Sequence, residues 1–198
     1  MYAVSALTLL IIRHGEKPKE DWPGPGLAID GTEDDLSLVI RGWQRAGAWA
    51  ALFAAGLGAT DYPQPVIIYA VNPDPDSDIA SPESSHRPFE TITPLSDRLR
   101  LKPIKKYAVG QETDLVSEIT ELSGVVLVCW EHKHIVSDML PKIANGQILP
   151  GLPSKWKGDR FDVVLRFDRV MAGAPWSFRQ LFPRLLAGDS DVPLPSTM

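Results

Sequence analysis

The sequence predicts an α/β three-layer sandwich, a mainly parallel sheet with helices on both faces. Three observations carry this. Short apolar runs, closed abruptly by charge, glycine or proline, suit strands covered on both sides. Segments with apolar residues at helical spacing separate them, as in βα units. Charged and imidazole side chains stand directly after the runs, at the carboxyl ends where open α/β sheets place ligands.

The elements follow in order. Residues 7–12 form a Leu/Ile strand ending at Arg13-His14-Gly15. Residues 17–35 read as loop, broken by Pro18, Pro23, Gly24, Pro25 and Gly26. Residues 42–53 carry Trp43, Ala46, Trp49, Ala50 and Phe53 on a helical stripe, with Gly56 and Gly58 at the expected stop. Residues 66–70 are a second strand. The acidic, proline-rich stretch 72–82 is a loop that leads to Ser85-His86-Arg87. A helix is expected over 87–99, with Pro88 suited to its first turn and Pro94 marking a kink or early break. Residues 112–122 read as helix and 125–130 as strand. A helix interrupted at Pro141 is expected over 134–144, then a strand over 161–167 and an edge strand over 177–181. No internal repeat or long linker divides the chain, so residues 1–198 are expected to form one domain.

Composition narrows the function. The 198 residues are 44% apolar, and a chain this long can bury ~70% of its unfolded surface without metal or disulfide staples. The formal charge of -5 argues against nucleic acid as a partner, which needs a clustered basic excess. The single Cys129 excludes an intrachain disulfide framework. No apolar run reaches the ~18 residues of a spanning helix, so no membrane partner is expected. The apolar start lacks the preceding positive charge and following cleavage site of a signal peptide, and a cytoplasmic location is expected.

Arg13 and His14 follow the first strand, Arg87 follows the second beyond the acidic loop, and Glu131 and His132 follow the 125–130 strand. Two arginines and two histidines on one rim suit a dianion. An arginine fork matches phosphate oxygens, and a neutral imidazole among such cations is a competent nucleophile toward phosphorus. Other phosphate chemistries lack their motifs. There is no P-loop and no Gly-x-Ser-x-Gly elbow, and Ile135 stands where a Cys129-dependent phosphatase loop needs arginine. His132-Lys133-His134 is a poor metal pair, because a helix start turns the two rings apart; no metal is expected.

Leu10-Ile11-Ile12-Arg13-His14-Gly15-Glu16 resembles the signature of the histidine phosphatase superfamily, the phosphoglycerate mutase-like proteins. Residues 38–42 with Gln44-Arg45-Ala46 are similar to its second block, with Val39 where Ser or Thr is usual. Arg87-Pro88-Phe89-Glu90-Thr91 resembles the block of the second arginine, with Pro88 in place of alanine. Residues 126–132 resemble the last block, a strand ending in the second histidine. Four blocks in order, over residues 7 to 135, make the likeness specific.

The resemblance implies a phosphoglycerate mutase-like fold and phosphomonoester hydrolysis through a phosphohistidine on His14. A hydrogen bond from its other ring nitrogen to a backbone carbonyl would hold it in line. Arg13, Arg87 and His132 would bind the phosphoryl oxygens, with neither metal nor other cofactor required. The carboxylic acid does not transfer by alignment; Glu131 is the first candidate and Glu112 the second. The implied partner is a phosphorylated small molecule or a phosphoprotein. A phosphoryl mutase in the same pocket, or a non-catalytic phosphate-binding module, are the alternatives. The oligomeric state is not legible.

Overall fold

A computed structural model describes residues 6–55, 60–73 and 85–196. Its frame is one five-stranded sheet in the order β2-β3-β1-β4-β5, with β1 Leu7–Arg13, β2 Ile67–Ala70, β3 Gly124–Trp130, β4 Val164–Arg169 and β5 Ser177–Leu181. β1 pairs in parallel with β3, and β3 with β2. β4 runs antiparallel to both β1 and β5. The expected sandwich is present, with this one reversed strand giving the sheet a mixed character. The expected helix stop at Gly56 and Gly58 and most of the 72–82 loop lie outside the described residues.

Alternation along the central strands divides the core in two, because successive side chains point to opposite faces. Leu7, Leu9 and Ile11 of β1, with Val126, Val128 and Trp130 of β3, face α3 (Glu112–Ile119) and the helical segment that follows β3. Leu10 and Ile12, with Leu127 and Cys129, face α1 (Ile40–Ala54) and α2 (Arg87–Leu99). α1 buries Gly42, Arg45, Ala46, Trp49, Ala50 and Phe53, the stripe expected of an amphipathic helix. α2 runs through Pro94 instead of breaking there. Its buried Ile92 and Leu95 flank the proline, and the helix ends later, at the left-handed Arg100. After β3, α4 (His132–His134) passes through a π-helical turn, Ile135–Met139, into α5 (Leu140–Ala144). Pro141 has no N–H to donate, and its effect falls at this change of register. Among the described residues no helix is long and apolar enough to cross a membrane.

Register brings the chemistry to one rim. Arg13 lies opposite Trp130, and Ala70 opposite Cys129, so His14, Glu131 and Val71 emerge side by side. Because β4 is antiparallel, its amino end lies at this same rim: Leu165 pairs with Ile11. The segment just before β4 is therefore delivered to the site.

Two glycines let the loop after β1 settle on α1. A Cβ on Gly42 would lie 2.5 Å from the Glu16 carbonyl oxygen, and one on Gly15 would lie 3.0 Å from that of Gly42. Gly42→Ala is expected to lose about 1–3 kcal/mol through this clash, although alanine gains ~1 kcal/mol in helix propensity. Gly47→Ala in the same helix meets nothing within 4 Å and is expected to gain up to ~1 kcal/mol. Denaturant unfolding of both variants checks the opposite signs.

Candidate active site

His14 is 4% exposed and fixed from both sides. Its backbone N–H donates to the Trp130 carbonyl at 3.2 Å, and its Nδ1 lies 2.7 Å from the Gly15 carbonyl oxygen. A carbonyl only accepts, so Nδ1 carries the proton and Nε2 keeps its lone pair. The Gly15 N–H donates to Thr91 Oγ1 at 2.8 Å, which in turn donates to the Arg87 carbonyl at 2.7 Å. One threonine thus ties the His14 loop to the start of α2. Burial first, and then Arg13, holds the His14 pKa well below the usual imidazole value, so the ring is neutral near pH 7.

The same loop is anchored through Glu16. This fully buried carboxylate accepts from Arg45 Nε at 3.0 Å and Nη2 at 2.8 Å, and Arg45 also donates to Asp189 at 2.8 Å. Arg41 adds a bond to Glu16 at 3.2 Å. A buried charge is tolerable only when paired and hydrogen-bonded in this way.

Arg13, the expected phosphate ligand, stands beside His14 with one arm of its guanidinium engaged by backbone carbonyls. It is 1% exposed and does not line the cleft. Its Nη1 donates to the carbonyls of Lys157, Gly158 and Arg160 at 3.0–3.2 Å, and its guanidinium carbon lies 3.9 Å from the centre of the Phe161 ring. Its Nε is buried with no protein acceptor. No carboxylate forms an ion pair with it among the described residues, and burial brings its pKa down to about 9.

Arg87 does line the cleft, which measures about 290 Å³ and also takes in His14, Lys17, Glu131 and Lys133. Its Nε donates to the Ser37 carbonyl at 3.1 Å and its Nη2 to that of Asp35. Glu90 holds the same loop, accepting from Ser37 Oγ at 2.6 Å and the Leu38 N–H at 2.9 Å.

His132 packs edge-on to His14, with ring centres 6.5 Å apart. Glu131 Oε1 lies 2.6 Å from His132 Nδ1, a close contact off the N–H direction. Glu131 Oε2 caps α4, accepting the Lys133 and His134 N–H groups at 2.7 and 3.2 Å. Burial pushes the Glu131 pKa up, but His132 and the two amides outweigh it and hold the carboxyl at about 2. Glu131 is therefore ionised near neutral pH. Glu112 lies away from the cleft, accepting Trp130 Nε1–H at 2.9 Å and the Gly110 N–H at 3.0 Å.

Among the described residues two groups offer metal-ligand atoms within 4.8 Å of one another: His14, Glu131 and His132, and Glu112, His134 and Asp138. In the first, Arg13, Arg87 and Lys17 surround the ligands with positive charge, which favours an anion. In the second, Glu112 is already bonded to Trp130 and Gly110.

Lys17, which lines the cleft, and Phe161, which packs on Arg13 and His14, are residues that sequence reasoning missed. Lys17 stands three positions beyond His14, and that proximity was its signal. Phe161, whose ring centre lies 6.2 Å from that of His14, had none, because only the reversed β4 brings it there.

A central mixed sheet covered by helices on both faces defines an α/β sandwich, and solved structures share it. The chain is similar in structure to a mycobacterial glucosyl-3-phosphoglycerate phosphatase, at 14% identity and a TM-score of 0.50, covering 89% of this chain and 98% of that one. It is similar to a phosphoglycerate mutase from Bacillus anthracis, at 12% identity and a TM-score of 0.52, over 90% and 93% of the two chains. The protein histidine phosphatase SixA, solved with tungstate, gives 13% identity, a TM-score of 0.50 and coverage of 89% and 97%. No family model and no curated protein matches the sequence. The chain has the phosphoglycerate mutase-like fold.

The neutral His14 makes a thermodynamic prediction. Its folded-state pKa is depressed, so below the ordinary imidazole pKa the unfolded chain binds a proton that the folded chain does not. Stability is lost as pH falls through that window. Between about pH 7 and about pH 5.5 this one group is expected to remove roughly 1 kcal/mol. Urea unfolding of the wild type and His14→Ala at both pH values should show that increment in the wild type alone.

Proposed function

We propose that the chain is a phosphatase that hydrolyses a phosphomonoester through a phosphohistidine on His14. The observation that carries this is the neutral His14 ring, with Nδ1–H committed to Gly15, set beside a buried Arg13 that forms no ion pair among the described residues. Such an arrangement presents a lone pair and a positive field to the same atom. The fold shared with two phosphatases and a mutase supports the reading.

In the first step His14 Nε2 forms a bond to phosphorus while the ester oxygen leaves with its electron pair and takes up a proton. Nδ1–H stays on Gly15 throughout. Arg87 and His132 bind phosphoryl oxygens, and Arg13 stabilises their charge from beneath, through its unused Nε. In the second step water attacks phosphorus, the P–N bond breaks and phosphate departs. We assign both proton transfers to the Glu131–His132 pair: a proton held by the pair passes to the leaving oxygen in the first step, and the pair, with Glu131 ionised, takes one from the attacking water in the second, which restores it. The substrate class is a phosphorylated small molecule or a single phosphorylated side chain, as the cleft volume suits.

A brief reaction with labelled substrate followed by an alkaline quench should leave acid-labile label on the protein. His14→Ala should carry no label and show no turnover. Acid-stable label, or activity in the variant, would overturn the mechanism.

The proton assignment has its own test. Glu131→Gln keeps the shape of the cap but cannot take up the proton. It is expected to lose about a hundredfold or more on an alkyl phosphate, whose leaving oxygen needs a proton, and less than about tenfold in phosphoenzyme formation from an aryl phosphate. Equal losses on both esters would leave Glu131 as a cap only.

A further inference from the structure

The His14 cleft lies at one end of the sheet. A separate cavity of about 480 Å³ opens at the other end. Arg169, the last residue of β4, lines it and pairs with Leu7, the first residue of β1. Arg13 closes β1 at the far end, so at ~3.3 Å per strand residue the two ends are roughly 20 Å apart. The proposed hydrolysis uses no group at the Arg169 end.

Two turns build this cavity, and one side chain locks them together. Asn145 and Gly146, past the end of α5, take left-handed backbone, as does Gly173 between β4 and β5. Gln147 spans the gap: its Nε2 donates to the Trp176 carbonyl at 2.6 Å, and its Oε1 accepts the Trp176 N–H at 2.8 Å. Phe167 packs edge-on to the Trp176 ring, with centres 6.1 Å apart. The walls are therefore set in advance, which lowers the ordering cost of binding.

Among the described residues Arg169 is the one charged side chain of the lining, and it forms no ion pair with a carboxylate. Its Nη2 donates to the Thr120 carbonyl at the end of α3, and its guanidinium carbon lies 4.7 Å from the centre of the Trp176 ring. Its Nε is buried with no hydrogen-bond acceptor. Anchoring α3 thus occupies one nitrogen of a fork whose remaining donors suit a carboxylate. A single cation matches a monoanion better than a phosphate dianion, which would be left half compensated. Trp176, Pro175 and Ile143 give the walls an apolar part, and the neighbouring Ile148, Val170 and Met171 are exposed around it.

We propose that Arg169 and Trp176 form a binding site for a small organic carboxylate with an apolar or aromatic body, separate from the His14 cleft. The carboxylate pairs with the guanidinium, and the body lies against Trp176 and Pro175. The site stands independently of the phosphatase reading of His14.

The test is calorimetric titration of the full chain with phenylacetate, its neutral counterpart phenylacetamide, and acetate. Phenylacetate should bind about tenfold or more tighter than either, because only it offers both the charge and the ring. Arg169→Met should lose that affinity by about tenfold or more, while Arg87→Met, in the distant cleft, should change it by less than about twofold. Ala174→Phe fills the cavity and leaves Arg169 in place, so it should also weaken phenylacetate by about tenfold or more. It decides the matter if Arg169→Met does not fold. No binding of phenylacetate, equal affinity for the amide, or affinity that survives Arg169→Met or Ala174→Phe overturns the site. A loss in Arg87→Met instead places the carboxylate in the His14 cleft and overturns it too.

Discussion

The buried guanidinium of Arg13 is the constraint around which the rim is organised. A cation removed from water this completely needs compensation, and among the described residues no carboxylate forms an ion pair with it, Glu131, Glu16 and Asp159 acting only at longer range. Three backbone carbonyls and the face of Phe161 compensate it in part. Those groups all come from the segment before β4, so the charge is tolerated only because β4 runs against its neighbours and begins at this rim. The residue of uncompensated charge does two things. It adds to burial, the larger cause, in keeping the adjacent His14 unprotonated, and it favours an anion nearby.

Precision at His14 comes from contacts that do not face the cleft. Gly15 and Gly42 allow backbone to meet backbone where α1 begins. Glu16, clamped by Arg45 and through it to Asp189, fixes the loop to α1 and to the carboxyl-terminal part of the chain. Thr91 links the same loop to α2 and so sets the His14 loop against Arg87. A nucleophile held by packed neighbours needs little reorganisation when a phosphoryl group arrives, which is the physical content of preorganisation.

Glu131 illustrates how one side chain serves structure and chemistry together. As the cap of α4 it satisfies two amides that would otherwise be unpaired, and His132, together with these bonds, keeps it ionised. Its negative charge is thus held at one wall, while Lys17, Arg87 and Lys133 leave the opposite sign to the opening.

Much of this was legible without coordinates. Strands β1 and β3 were readable because an apolar run closed by charge has no other stable setting, and the parallel register that follows puts His14, Glu131 and His132 on one rim. β5 falls on the residues expected, while β2 and β4 begin later than expected, because strand ends depend on which backbone groups find partners. Pro94 within α2 and the π-helical turn before Pro141 were decided by packing, which overrode the local preference of proline. The roles of Arg13, Lys17 and Phe161 depended on the direction of β4, on long-range burial and on which carboxylates lie within reach. Local sequence determines which residues emerge from a strand end. Only tertiary structure decides how deeply each charge is buried and what faces it, and those two quantities set its chemistry.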